Sequence, residues 1–171
     1  MELGDHNYCT VHLTLIPYLA AAKELKTKPT QHSVKELQES GVQPDILVCR
    51  TEKPITDEIR QKLALFCNLS KDNVIEAIDA DTIYEVPILM LKEKLDQRVI
   101  KQLKLKSKSA PELKAWREFL KNLRHPIYEV NIGLIGKYNE LPDAYKSIYE
   151  AFFHSGAANM CNVKVIAIHS E

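Results

Sequence analysis

The chain has 171 residues, 23 basic and 23 acidic side chains, and a formal net charge of zero. With 45% hydrophobic and 27% charged residues it can bury a real core, which excludes intrinsic disorder and collagen-like repeats. Balanced charge argues against a general nucleic-acid binder, and no apolar run reaches the roughly 18–20 residues that cross a bilayer.

The opening Met1-Glu2-Leu3-Gly4-Asp5-His6 lacks both the basic and the apolar part of a secretory signal. From Cys9 to Ile16, polar and apolar residues alternate: Val11, Leu13 and Leu15 face one way, Thr10, His12 and Thr14 the other. Period two predicts a strand, and Pro17, which cannot donate to a ladder, ends it. The polar stretch from Lys26 to Ser33 contains Pro29 and reads as a loop. Ser33 and Glu36 have capping-box spacing and predict a helix start there, and Gly41 is its stop. Ile46-Leu47-Val48-Cys49-Arg50 is an apolar run closed by a charge, the pattern of a parallel strand buried on both faces.

Thr56, followed by Asp57 and Glu58, predicts the next helix start. Ile59, Leu63 and Phe66 supply its apolar stripe, with Lys62 beside them. Residues 74–78 read as a third strand, followed by the acidic turn Asp79-Ala80-Asp81. Strand and helix alternate, which predicts an α/β fold with parallel βαβ units and right-handed crossovers.

Ile83 to Leu105 reads as one helical stretch, and Pro111 to Leu123 as a second helix with Leu113, Trp116, Leu120 and Leu123 at three-to-four spacing. Residues 91–124 hold 11 Lys/Arg and 4 Asp/Glu, a local charge of +7 balanced by −7 elsewhere. This marks a segment boundary. For Lys101 to Ser109 a nucleic-acid patch is the competing reading, but that run has no interleaved aromatics. Residues 130–136 form a predicted strand. Pro142 marks the start of a helix over Asp143–His154, Gly156 its stop, and residues 163–168 a last strand.

The four cysteines, Cys9, Cys49, Cys67 and Cys161, form no C-x-x-C pair, and three lie in apolar runs. They read as buried, reduced thiols of a cytosolic protein.

The second unit, one strand, one helix and one strand over about 44 residues, is too small to bury both sheet edges and faces by itself. The first unit begins almost on a strand. The pattern implies two incomplete Rossmann-like domains joined by a helical linker. The chemistry-bearing stretch is Lys26-Thr27-Lys28-Pro29-Thr30-Gln31. Its two lysines, two hydroxyls and one amide precede a helix N-terminus, whose free N–H groups attract anions. It is either a polyphosphate site or a plain surface loop, and it lacks the glycines of a P-loop. No hydrolase triad or metalloprotease motif can be assembled.

The strings Val11-His12-Leu13-Thr14-Leu15-Ile16-Pro17-Tyr18, Lys26-Thr27-Lys28-Pro29-Thr30-Gln31-His32-Ser33 and Gln43-Pro44-Asp45-Ile46-Leu47-Val48-Cys49-Arg50 resemble the CTP synthase family. So do Lys62-Leu63-Ala64-Leu65-Phe66-Cys67, Ile83-Tyr84-Glu85-Val86-Pro87 and Gly136-Lys137-Tyr138-Asn139-Glu140-Leu141-Pro142. The resemblance spans essentially the whole chain and is weakest over residues 98–127. It implies that residues 1–100 are the C-terminal part of an ATP-dependent amidoligase domain, 101–127 a helical interdomain linker, and 128–171 the first βαβ of a class I glutamine amidotransferase domain.

The implied chemistry is phosphorylation of the 4-oxygen of UTP by ATP, then displacement of phosphate by ammonia from glutamine to give CTP, with Mg²⁺ and lysines offsetting phosphate charge. The resemblance implies UTP or CTP contacts at Lys26, Thr27, Lys28, Pro29, Thr30, Gln31 and Lys62. It implies ATP contacts at Ile78, Asp79 and Ala80, with Arg50 as a neighbour. It places the catalytic residues and the Mg²⁺ carboxylates outside this sequence, and implies a cytoplasmic enzyme, homotetrameric at full length, with no nucleic-acid or membrane partner. The alternative is a non-catalytic nucleotide-binding or assembly module of the same fold.

Overall fold

The computed structural model describes residues 7–107, 109–141 and 143–170. The N-terminal reading on residues 1–6 and the helix start at Pro142 lie outside the described residues. The chain forms two compact units, residues 1–110 and 111–171.

The first unit is built on a parallel sheet of β1 (Val11–Ile16), β4 (Ile46–Thr51) and β5 (Val74–Ile78) in the order β1-β4-β5. Val11 pairs with Ile46, and Leu47 with Val74. Between β1 and β4 come a two-residue antiparallel ribbon, β2 (Tyr18–Leu19) and β3 (Glu24–Leu25), and helix α1 (Lys28–Glu39). Helix α2 (Asp57–Phe66) links β4 to β5. Helices α3 (Val86–Lys92) and α4 (Leu95–Gln102) follow.

β4 is the middle strand, and its residues pack into two cores. Leu47 and Cys49 join Ile16, Val34, Leu63 and Cys67 on the face covered by α1 and α2. Ile46 and Val48 join Ile75 on the other face, against Met90, Leu95 and Val99 of α3 and α4. The doubly buried strand expected from its apolar run is therefore present. In β1 the predicted alternation holds, but it is the polar side that is covered. Thr14 and Ile16 are buried, whereas Val11, Leu13 and Leu15 are 44, 67 and 52% exposed. Periodicity assigns side chains to faces; it does not say which face other elements cover.

Two predicted helix boundaries in this unit are corrected. The capping box at Ser33 is not a helix start: α1 begins at Lys28, with Thr27 at its N-cap position and Gly41 (φ +80°) after its end. Pro29 sits in the first helical turn, where a missing N–H costs no hydrogen bond. Ser33 lies inside the helix, and its hydroxyl is 2.8 Å from His12 Nε2, which gives that histidine a structural partner. The long helix expected over 83–105 is broken at Lys94, which has a left-handed backbone (φ +61°). Just before the break, Glu93 turns its carboxylate inward to Arg60 at 2.9 Å and accepts from the Glu76 N–H at 2.9 Å. Thr56 caps α2 as predicted, accepting from the Ile59 N–H at 3.3 Å, but Phe66 of the predicted apolar stripe is exposed and Cys67 is buried in its stead.

The second unit pairs β6 (Tyr128–Gly136) with β7 (Cys161–His169) in parallel. Helix α6 (Lys146–Ala158) crosses between them, and helix α5 (Lys114–Arg124) packs beside it through Phe119 and His154, whose rings lie 5.2 Å apart. Gly156, expected as a helix stop, is instead buried inside α6. A Cβ at this position would lie 2.6 Å from the Cys161 carbonyl oxygen. The glycine is there to let helix and strand approach. Gly156→Ala should therefore destabilise this unit by about 1–3 kcal/mol, read as a lowered melting temperature; an unchanged melt would show that the backbone relaxes without cost.

Candidate functional site

In an open parallel sheet, ligands gather beyond the carboxyl ends of the strands, where chain segments diverge. Here two clefts open at that end, one on each face of the sheet.

The first has a volume of about 450 Å³ and is lined by Arg50, Ile78, Asp79 and Ala80, with Leu13, Ile83 and Val86 as an apolar wall. All four residues for which ATP contacts were expected thus come together. Arg50 Nε donates to Asp79 Oδ1 at 3.0 Å. The Asp79 N–H donates to the Thr51 carbonyl at 2.9 Å, which ties the turn after β5 to the end of β4. Both side chains of the pair are well exposed. Such a pair adds little to stability and stays available to a ligand. An apolar wall facing a fixed charged pair suits a flat base with a polar edge.

The second cleft has a volume of about 500 Å³ on the α1/α2 face and is lined by Thr27, Lys62, Lys23, Lys53, Tyr18 and Glu58, among others. Of the seven expected UTP or CTP contacts, only Thr27 and Lys62 line it. Lys26 and Lys28 flank Thr27 in sequence, and Lys26 forms an ion pair with Glu24. Lys28 and Pro29 are exposed in the first turn of α1. Thr30 is fully buried: its hydroxyl donates to the Leu15 carbonyl at 3.0 Å and lies 3.3 Å from the Thr14 hydroxyl. The Gln31 amide donates to the Thr27 hydroxyl at 3.3 Å. Thr30 and Gln31 thus fix where the motif sits, and the lysines remain outside the packing.

The segment after β4 went unread in the sequence. It is held at three points. The Thr51 hydroxyl donates to the Lys53 carbonyl at 2.8 Å, Glu76 accepts from the Ile55 N–H at 2.6 Å, and Thr56 caps α2. Arg60 reaches Glu93 and Glu76 and donates to the Val74 carbonyl, so one guanidinium joins α2, β5 and the end of α3. Apart from the Thr56 cap, no motif marks these residues; only their place at a strand end could have drawn attention to them.

Of the four cysteines expected to be buried, Cys49 and Cys67 are, whereas Cys9 and Cys161 are only half-buried. Burial pushes Cys49 up to about 12, helped by neighbouring Cys67 and opposed by Arg60. Burial also raises Cys67, and burial followed by Asp45 raises Cys9. Neither Cys49 nor Cys67 offers a thiolate near neutral pH. Among the described residues no group of three or more His, Cys, Asp or Glu could hold a metal ion, and no helix is long and apolar enough to cross a membrane.

Parallel strands with clefts at their carboxyl ends define an α/β protein with the layout in which such folds hold ligands. A family model described as the CTP synthase N-terminus matches residues 1–105. The chain is 63% identical over 170 residues to the CTP synthase of Cytophaga hutchinsonii, covering 99% of this chain and 32% of that protein. It is 64% identical to the Flavobacterium johnsoniae CTP synthase over the same shares, and 55% identical to that of Chlorobaculum tepidum, covering 100% and 30%. The chain belongs to the CTP synthase family, and it spans about a third of the length of the curated relatives it matches.

Cys49 makes stability depend on alkaline pH. The folded state holds this proton more tightly than the unfolded chain, whose thiol titrates near 9.0. Its contribution is fully present below pH 9 and is lost as pH rises toward 12, at up to about 1.4 kcal/mol per pH unit. Urea unfolding at pH 8 and pH 10.5 should show a smaller alkaline loss for Cys49→Ala than for the unsubstituted chain; equal losses would contradict the assignment.

Proposed function

We propose that this chain is the nucleotide-holding portion of a CTP synthase, the enzyme that aminates UTP to CTP at the expense of ATP with nitrogen from glutamine or ammonia. The observation that carries this reading is the pair of clefts on opposite faces of one sheet end. One gathers Arg50, Ile78, Asp79 and Ala80; the other is lined by Thr27 and Lys62.

In this reading the first cleft takes ATP, with the adenine against the Leu13, Ile83 and Val86 wall and polar contacts from Arg50, Asp79 and the backbone of Ile78 and Ala80. The second takes UTP or the product CTP. Lys26, Lys28 and Lys62 neutralise its phosphates, Thr27 and Pro29 shape the entry to α1, and Thr30 and Gln31 hold that entry in place. The reaction transfers the terminal phosphoryl group of ATP to the 4-oxygen of UTP and releases ADP. Ammonia then attacks carbon 4, and phosphate leaves with the former carbonyl oxygen. This chain's residues bind and orient; none is assigned a bond-breaking role. Mg²⁺ is expected with ATP, and among the described residues no cluster of His, Cys, Asp or Glu could hold it.

The two units are read as parts of two larger Rossmann-like domains, with the amidoligase portion over 1–100, a helical linker over 101–127 and a glutamine amidotransferase portion over 128–171. The full-length protein is read as a cytoplasmic homotetramer with no nucleic-acid or membrane partner. On its own, the 171-residue chain should not form CTP.

Calorimetric titration tests the assignment of the two clefts. Lys62→Ala and Lys28→Ala should each weaken UTP and CTP by roughly 10-fold and leave ATP unchanged, while Asp79→Ala should do the reverse. A substitution that weakens both nucleotides equally, or neither, would contradict separate sites.

A further inference from the structure

Lys53 stands immediately beyond the carboxyl end of β4, in the second cleft with Lys62, Lys23 and Tyr18. Three features set it apart from an ordinary surface lysine. Its backbone is fixed on both sides by one hydroxyl: Thr51, 1% exposed, donates to the Lys53 carbonyl at 2.8 Å and accepts from its N–H at 3.4 Å. The following residues are anchored by Glu76 at Ile55 and by the Thr56 cap. Finally, its ammonium lies 5.8 Å from the centre of the Tyr18 ring, a cation–π contact rather than an ion pair. By contrast, Lys26 is engaged by a carboxylate.

We propose that Lys53 is a further cation of the pyrimidine nucleotide site, contacting the triphosphate together with Lys62, and that Tyr18 is a positioning residue that holds the Lys53 ammonium in the cleft. This rests on the reading of the second cleft given above. The cleft also carries Glu24 and Glu58. Three lysines against two carboxylates leave one net positive charge, or two with Glu24 neutralised by Lys26. Against a ligand carrying several negative charges, each lysine therefore counts, and Lys53 is placed beforehand instead of being recruited from solvent. An ammonium over a ring face keeps its charge and most of its donors free, so transfer to a phosphate oxygen breaks no salt bridge.

The test is titration of the 171-residue chain with UTP and with inorganic tripolyphosphate, which presents the phosphates without base or sugar. Lys53→Gln should weaken both by about 10-fold with an unchanged melting temperature, and Lys53→Arg should restore most of the loss. Tyr18→Leu should weaken both by about 3-fold, and Tyr18→Phe, which keeps the ring, should bind as the unsubstituted chain does. If Lys53→Gln leaves UTP binding intact while Lys62→Ala weakens it, the site stands and Lys53 is not part of it. If Lys53→Gln weakens UTP but not tripolyphosphate, the phosphate assignment is wrong. If the unsubstituted chain does not bind UTP, the reading of the cleft fails and this proposal with it.

Discussion

Adjacent residues of a strand point to opposite faces of its sheet, and at the end of β4 this geometry separates two sites. Arg50 falls on the face covered by α3 and turns to Asp79; Thr51 falls on the face covered by α1 and α2 and holds Lys53. The strand can impose this because β1 and β5 pair with it on both edges and apolar cores cover both its faces. A strand fixed in this way cannot slip by one residue without exchanging its two cores. The positions of both clefts follow from that register.

The electrostatics of the clefts differ in kind. On the α3 face, the Arg50–Asp79 pair sits at the rim of an apolar wall, a combination suited to the proposed adenine. On the α2 face, lysines converge from the ribbon, the end of β4 and helix α2, a combination suited to the proposed triphosphate. Between them, Arg60 draws Glu76 and Glu93 together inside the protein. These three side chains are mostly buried. Removing Arg60 would leave two mostly buried carboxylates without their cation, which is far costlier than losing an exposed pair. That network braces the segment carrying Lys53, because Glu76 also accepts from Ile55.

The sequence made β4, β5 and the Thr56 cap legible because each carries a local signal: an unbroken apolar run, or a hydroxyl ahead of two acids. The start of α1 was hidden by a decoy. Ser33 and Glu36 have capping-box spacing, while the true start at Thr27 has a helical backbone and no side-chain cap, and Pro29 reads as a breaker although it suits a first turn. The break at Lys94 needs a left-handed lysine, which no propensity anticipates. For the α3-face cleft, family resemblance supplied Arg50 and Ile78 to Ala80, and the fold gathered them. Lys53 and Tyr18 carried no motif. They are 35 positions apart and meet only because β2 folds back beside the end of β4.

If one strand end serves two nucleotides on opposite faces, backbone amide chemical shifts recorded during successive additions of ATP and UTP should separate into two sets. ATP should move the signals of residues 77–80 and Arg50, UTP those of residues 26–28, 53 and 62, and saturation with one nucleotide should leave the other's set free to respond. Displacement of one nucleotide by the other from a single shared set of residues would contradict this arrangement.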